Sequence, residues 1–152
     1  MTATIVGLKV PNFSAPMTSD QTFNISDYRG KHLVIYFYPK DSTPGCTDES
    51  IQFNDMQEFF AKKNCLIFGV SRDSVKSHEN FRSKYGFKFE LISDGNEEVC
   101  QMFDVIKMKN MYGKQVRGIE RSTFLIDSEG LLKKEWRKIK IPGHAQEVLD
   151  SI

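Results

Sequence analysis

Residues 32–47 read HLVIYFYPKDSTPGCT, and this stretch decides the fold. Its first seven residues are rich in β-branched and aromatic side chains, as expected for a strand that is buried on both faces. Pro44 suits the first position of a helix, where its missing N–H costs nothing, and Thr43 suits the N-cap before it. Cys46 is therefore predicted to lie in the first turn of a helix, just past a buried strand. The free N–H groups and the dipole of that turn favour negative charge, so the thiol is expected to ionise readily and act as a nucleophile.

The chain on either side of this stretch alternates between strand and helix patterns. The predicted helices cover residues 44–62, 74–85, 96–103 and 142–152. The predicted strands cover residues 32–38, 65–71, 89–92, 123–127 and 131–139, with further short strands near 15–17 and 21–25. Residues 104–118 are predicted to form an irregular loop. This order of elements predicts an α/β layer fold with a central mixed sheet flanked by helices.

Length and composition limit the classes of protein to consider. A chain of 152 residues with 39% hydrophobic and 27% charged residues fits one domain over residues 1–152. The net charge of +1 gives no electrostatic reason to expect nucleic acid or an anionic membrane as a partner. No apolar stretch is long enough to cross a bilayer, and residues 1–7 lack the basic start and apolar core of a secretory signal. Because the last helix is short where the sequence stops at Ile152, we expect a few further residues after it.

The cysteine and histidine content argues against a disulfide framework or a zinc site. Three cysteines is an odd number, and their positions 46, 65 and 100 are far apart, so a reducing cytoplasm is the simplest setting. There is no Cys-x-x-Cys pair, and the histidines do not cluster with the cysteines along the chain. Three residues are expected to be solvated or capping histidines rather than catalytic ones: His32, His78 and His144.

The spacing Pro39-x-x-x-Thr43-x-x-Cys46 resembles the active-site signature of the peroxiredoxins. The surrounding sequence is most similar to the bacterioferritin-comigratory-protein or PrxQ branch of that family, over almost the whole chain. The resemblance implies a thioredoxin-like fold and a thiol-dependent peroxidase that reduces hydrogen peroxide and organic hydroperoxides. It also implies that Cys46 attacks the peroxide and becomes a sulfenic acid, and that no metal, haem or flavin cofactor takes part.

The resemblance further implies an active-site role for Pro39, Thr43, Cys46 and Arg121. The Thr43 hydroxyl would donate a hydrogen bond to the thiolate or to a peroxide oxygen, and Pro39 would shield the sulfur from water. Arg121 would stabilise the thiolate and the negative charge on the departing peroxide oxygen. Because the Glu49 carboxylate disfavours a nearby thiolate, a cation must stand close to Cys46, and Glu49 is a candidate for orienting Arg121.

The sequence departs from this family where a second cysteine would be expected. Many relatives resolve the sulfenic acid with a cysteine at the position of Ile51, and others with one near residues 81–85, but neither place holds a cysteine here. Cys65 starts a buried strand and is expected to be a packing residue. Cys100 could resolve Cys46 or pair with another subunit. The preferred prediction is a one-cysteine cycle in a monomer or homodimer, with an external thiol (glutathione, glutaredoxin or thioredoxin) as the reductant.

Two other functions stay open at this point. A thiol–disulfide oxidoreductase on the same fold would need Cys-x-x-Cys, and Glu49 occupies the place of the second cysteine. A peroxide sensor that uses oxidation of Cys46 to switch a binding surface would share the same chemistry, and turnover is what separates it from an enzyme. Three residues of the predicted loop either line a contact surface or fold back on the domain: Met108, Met111 and Tyr112.

Overall fold

The computed structural model describes residues 4–152; the first three residues, which belong to the stretch examined for a secretory signal, lie outside it. Its strands are β1 (Ser14–Met17), β2 (Gln21–Asn24), β3 (His32–Phe37), β4 (Cys65–Ser71), β5 (Glu90–Ser93), β6 (Ile106–Met111), β7 (Lys114–Ile119), β8 (Ser122–Ile126) and β9 (Leu132–Arg137). Its α-helices are α1 (Pro44–Asp55), α2 (Gln57–Lys62), α3 (Val75–Tyr85), α4 (Glu98–Met102) and α5 (His144–Asp150). A short 3₁₀ helix covers Ile25–Tyr28. None of the helices described is long and apolar enough to cross a membrane.

Strand β3 lies near the middle of a seven-stranded mixed sheet with the order β2-β1-β5-β4-β3-β8-β9. It pairs in parallel with β4 and antiparallel with β8, so it is covered along both edges. Because successive side chains of a strand point to opposite faces, Ile35 and Phe37 enter one buried cluster, whereas Tyr36 and Tyr38 enter the other. The sheet flanked by helices confirms the α/β prediction, and it places hydrophobic cores on both sides of β3.

Helix α1, which carries Cys46, is held against the sheet through Tyr36. The Tyr36 ring stacks on Phe53 of α1 with centroids 4.7 Å apart, and its hydroxyl is 2.8 Å from the Ser50 hydroxyl of the same helix. Gly69 of β4 makes room for this ring, because a Cβ atom there would lie 2.8 Å from the Tyr36 hydroxyl and from the Leu91 side chain. The absence of a side chain at Gly69 therefore fixes where α1 sits on the sheet.

The single helix predicted over residues 44–62 is two helices, so that prediction was wrong in its continuity. Helix α1 ends at Asp55, and the N–H of Met56, the residue that follows, bonds to the carbonyl oxygens of Phe53 and Asn54 in a tight terminal turn. Helix α2 begins directly afterwards, and its Phe60 packs 6.0 Å from Phe53 in the same cluster. The change of direction at Met56 lets both aromatic rings enter one core, which a straight helix pattern does not predict.

The prediction of a loop over residues 104–118 was also wrong, because most of this segment forms the antiparallel hairpin of β6 and β7. Two residues connect the strands, Tyr112 and Gly113, and both have positive φ angles, of 53° and 80°. A two-residue turn of this kind matches the twist of the paired strands. The hairpin forms its own two-stranded sheet, separate from the main one.

Candidate active site

Cys46 lies in the first turn of α1, as the local sequence predicts. Pro44 is the first helical residue and Thr43 is the extended N-cap, with φ of −79° and ψ of 152°. The carbonyl oxygen of Thr43 accepts the first helical hydrogen bond, from the N–H of Thr47 at 2.9 Å. The Cys46 side chain is almost fully buried, at 1% exposure. The thiol therefore sits in a water-poor place at the helix end where negative charge is favoured.

Arg121 reaches this sulfur from the segment between β7 and β8. Its Nη2 lies 3.4 Å from Cys46 Sγ, and its Nη1 donates to Glu49 Oε1 at 2.7 Å. Burial lowers the pKa of the guanidinium, but the negative charges of Glu49 and Cys46 outweigh it and raise that pKa above its ordinary value. The structure thus brings three of the predicted site residues together around one permanent cation.

Glu49 is a buried carboxyl group with one oxygen engaged and one free. Its Oε1 accepts from Arg121, while Oε2 has no hydrogen-bond partner among residues 4–152. Burial raises the pKa of the Glu49 carboxyl, and the adjacent Arg121 opposes this rise. Since Glu49 lies one turn after Cys46 on α1, the helix presents both groups to the same guanidinium. The contact fits the orienting role predicted for Glu49.

Thr43 and Pro39 lie in the loop that joins β3 to α1. The Thr43 hydroxyl does not cap α1; it donates to the carbonyl oxygen of Lys40 at 2.8 Å. This bond stays within the loop, so the predicted donation to the thiolate requires the hydroxyl to exchange its partner. Pro39 is half-buried directly after the fully buried Tyr38.

The absence of a side chain at Gly45 gives Arg121 its place, which yields a testable prediction. A Cβ atom at Gly45 would lie 3.3 Å from Arg121 Nη2 and 3.4 Å from Ile141. We expect Gly45→Ala to push the guanidinium away from Cys46 by a few tenths of an ångström and to slow peroxide reduction. A displacement of about 1 Å can cost on the order of 100-fold, so the expected loss is at most about tenfold.

Stopped-flow oxidation of Cys46 by hydrogen peroxide would measure this loss. Alanine is the better helix former, so Gly45→Ala should not weaken α1. The matched control is Gly95→Ala, because nothing lies within 4 Å of a Cβ atom at that position. Equal rates for the two variants would contradict the assigned contact.

A buried polar network joins α3 to the loop between β3 and α1. Sequence reasoning missed this network. His78 of α3 is fully buried, with Nδ1 2.7 Å from Asp41 Oδ2 and Nε2 2.9 Å from the carbonyl oxygen of Ile92. Both partners of the imidazole are oxygen atoms, a carboxylate oxygen at Nδ1 and a backbone carbonyl oxygen at Nε2. Asp41 also accepts from the hydroxyls of Tyr38 and Ser77, at 2.6 and 2.8 Å.

The prediction of solvated or capping histidines was therefore wrong for His78, and it was wrong for His144 as well. His144 is 4% exposed, and its Nε2 lies 2.8 Å from the Thr123 hydroxyl of β8. Burial lowers the pKa of His144, while the nearby Glu147 acts in the opposite direction. Each histidine fastens a helix to the sheet through a partner distant in sequence, which no local pattern reveals.

Lys109 is a partly buried cation whose pKa responds to the charges of the active site, and sequence reasoning missed it. Burial and the charge of Arg121 lower the pKa of Lys109, whereas the charge of Cys46 acts in the opposite direction. Lys109 lies on β6, opposite Val116 of β7. It was overlooked because the segment was predicted to be a loop, although its alternating lysines and apolar residues are a period-two signal.

The other two cysteines are buried and free. Cys65 begins β4, and burial raises the pKa of its thiol to about 12, as expected for a packing residue. Burial and the neighbouring Asp94 raise the pKa of Cys100. Cys100 belongs to the cluster that contains Ile35 and Phe37, whereas Cys46 belongs to the cluster on the other face of the sheet. In this conformation the sheet separates the two thiols.

Comparison with known proteins places this chain in a family. Residues 6–135 match the AhpC/TSA family. Peroxiredoxin Bcp of Xanthomonas campestris is 54% identical over 100% of this chain and 96% of its own length, and peroxiredoxin Bcp of Bacillus subtilis is 46% identical over 97% and 94%. A solved structure of Xanthomonas campestris peroxiredoxin Q has a TM-score of 0.87 at 55% identity, covering 91% of this chain and 88% of that one.

A cysteine-to-serine mutant of Xylella fastidiosa PrxQ has a TM-score of 0.92 at 44% identity, covering 99% of this chain and 96% of that one. These likenesses confirm the predicted thioredoxin-like fold. This chain belongs to the AhpC/TSA family, as a peroxiredoxin of the Bcp or PrxQ type, and is a thiol-dependent peroxidase.

Proposed function

We propose that this protein reduces hydrogen peroxide and organic hydroperoxides through Cys46. The observation that carries the proposal is the guanidinium of Arg121, which bridges Cys46 Sγ and the Glu49 carboxylate in a buried place. The bacterioferritin comigratory protein of Xanthomonas campestris, whose solved structure is 54% identical to this chain, has alkyl peroxide reduction activity. A thiolate fixed beside a permanent cation is suited to that reaction.

The first half-reaction transfers one oxygen atom to the sulfur. The Cys46 thiolate attacks the terminal oxygen of the hydroperoxide; the S–O bond forms as the O–O bond breaks. The sulfur is oxidised to a sulfenic acid, and the departing oxygen leaves as an alkoxide, or as hydroxide from hydrogen peroxide, and takes up a proton to give alcohol or water. Arg121 donates to the thiolate before the reaction and stabilises the charge that moves onto the departing oxygen. Glu49 is a positioning residue that holds Arg121.

The second half-reaction in this proposal is a one-cysteine cycle that uses an external thiol. A first thiol condenses with the Cys46 sulfenic acid, releasing water and leaving a mixed disulfide, and a second thiol restores Cys46 as it forms a disulfide with the first. The absence of cysteine at position 51 and at positions 81–85 supports this cycle, as does the placement of Cys100 across the sheet. Thioredoxin, glutaredoxin and glutathione are the candidate reductants, and the reducing cytoplasm is where we expect them to act on a monomer or homodimer.

A two-cysteine cycle with Cys100 is the main alternative. A disulfide needs Cα atoms within about 7 Å and facing Cβ atoms, so Cys100 would have to leave its buried cluster and α4 would have to open. A peroxide sensor is the other alternative, and it would stop after about one equivalent of peroxide because it has no catalytic turnover.

Intact mass and free-thiol count after one equivalent of hydrogen peroxide test the cycle, on the wild type and on Cys100→Ser. We expect both proteins to gain one oxygen atom, located at Cys46 and trapped by a sulfenic-acid reagent. A loss of two hydrogens that disappears in Cys100→Ser would show instead that Cys100 resolves Cys46. No reaction at Cys46 would overturn the proposed function.

A further inference from the structure

We propose that the β6–β7 hairpin is the docking surface for a protein thiol reductant whose contact surface is apolar and negatively charged. This inference rests on the proposed function, because it names the kind of external thiol that reduces the Cys46 sulfenic acid. The hairpin covers residues 106–119 and carries Met108, Met111 and Tyr112, for which the sequence predicts either a contact surface or a loop that folds back on the domain. Its location, its exposed side chains and its charge each support docking.

The base of the hairpin lies beside the reacting sulfur. Strand β7 ends at Ile119, which is fully buried, and Arg121 follows two residues later with its guanidinium on Cys46. Each strand of the hairpin has six residues and so extends about 20 Å. A protein that brings its thiol to Cys46 therefore has the hairpin available as a contact along one side.

The outer part of the hairpin exposes large apolar side chains. Tyr112 at the turn is fully exposed, at 100%, and Met108, Met111 and Val116 are exposed as well. Strands β6 and β7 pair only with each other among the strands described, and the hairpin contacts the domain through Ile106 and Ile119 at its base and through the Arg117–Glu97 ion pair. Tyrosine, methionine and arginine are enriched at protein–protein interfaces, and tyrosine is one of the residues that most often dominate the binding energy.

The positive charge of the hairpin favours a partner with negative charge. It carries four cations, Lys107, Lys109, Lys114 and Arg117, and no acidic residue. Lys107 pairs with Asp104 and Arg117 pairs with Glu97, whereas Lys109 and Lys114 make no salt bridge to any residue of the part described. Lys109 and Lys114 share one face of the hairpin with Met111 and Val116, through the register that pairs Lys109 with Val116 and Met111 with Lys114. A partner with acidic groups around an apolar patch complements this face.

A second copy of this chain is a poorer occupant. Two hairpins that met face to face would bring eight cations together, and neither hairpin supplies an acidic residue. The two hairpins would therefore repel each other at low salt. Small thiols such as dithiothreitol need no docking surface of this size, so they give a direct comparison. The two kinds of reductant separate docking from the chemistry at Cys46.

The experiment measures steady-state turnover of hydrogen peroxide by the full chain with two reductants, thioredoxin regenerated by its reductase and NADPH, and dithiothreitol. We expect Tyr112→Ala to raise the KM for thioredoxin roughly tenfold, as for the loss of a docking anchor. We expect Lys114→Glu to raise it too and to reduce its dependence on salt. The rates with dithiothreitol should stay those of the wild type, because the Tyr112 side chain is fully exposed. The matched control is Phe59→Ala, an aromatic residue 54% exposed on α2, which should change neither rate.

Three outcomes would overturn the docking proposal. Tyr112→Ala could leave the KM for thioredoxin unchanged, or it could lower the rate with both reductants equally, as a structural residue would. The wild type could also turn over with glutathione or dithiothreitol but not with thioredoxin or glutaredoxin. In each case a sulfenic acid trapped at Cys46 would leave the proposed function intact, whereas its absence would remove that function first.

Discussion

Replacing Cys46 with serine is expected to reduce hydroperoxide turnover to the uncatalysed background. The hydroxyl of serine is a far weaker nucleophile than a thiolate, and no other thiol in this chain is placed to substitute. Cys65 and Cys100 are buried, and burial raises the pKa of both thiols. The measurement is peroxide consumption with excess dithiothreitol, which bypasses any docking step.

Cys100→Ser is the matched control for this prediction. Its hydroxyl can keep a hydrogen bond to Asp94, the carboxylate that the Cys100 thiol faces, so the buried cluster should stay folded. We expect this variant to retain the turnover of the wild type. Substantial turnover in Cys46→Ser would show that the nucleophile lies elsewhere and would remove the mechanism proposed above. Single-equivalent consumption by the wild type would instead favour the sensor.

The part of the site that could be predicted from the sequence is the part formed by residues close together in the chain. A strand end, a cap at Thr43 and a helix start at Pro44 follow one another within a few positions. Backbone geometry then fixes where the sulfur of Cys46 lies. Arg121 is 75 residues away from Cys46. No periodicity or spacing joins the two, and only the family resemblance predicted their contact, which the structure contains.

The residues that sequence reasoning missed depend on partners from other elements. His78 lies between Ser77 and Glu79 on a helix with a polar pattern, and its burial follows from Asp41 in a distant loop. The β6–β7 hairpin was missed because Tyr112 and Gly113 are a less familiar turn pair than Asn-Gly, although both take the required positive φ angles. The Thr43 hydroxyl could not be placed because a short side chain chooses among several nearby acceptors, and here it bonds to Lys40.

Replacing Arg121 with alanine is expected to lower the second-order rate of Cys46 oxidation by roughly 100- to 1,000-fold, the loss typical of a removed oxyanion donor. Arg121→Lys keeps the charge but loses the planar fork that bridges Sγ and Glu49, so we expect a smaller loss. Arg29→Ala, at an exposed arginine, is the control and should keep the rate of the wild type. A wild-type rate in Arg121→Ala would remove this residue from the mechanism.

A variant at Glu49 tests whether Arg121 must be held in one orientation or acts simply as a nearby charge. Glu49→Gln keeps an acceptor for Nη1 but removes the carboxylate that fixes the guanidinium at 2.7 Å. If Glu49 works by positioning Arg121, Glu49→Gln should slow the peroxide step in the wild type and have almost no effect in Arg121→Ala, because the group it positions is gone. Equal losses in both backgrounds would mean that Glu49 acts independently of Arg121. The double-mutant cycle therefore separates positioning from a purely structural role, which would lower stability in both backgrounds alike.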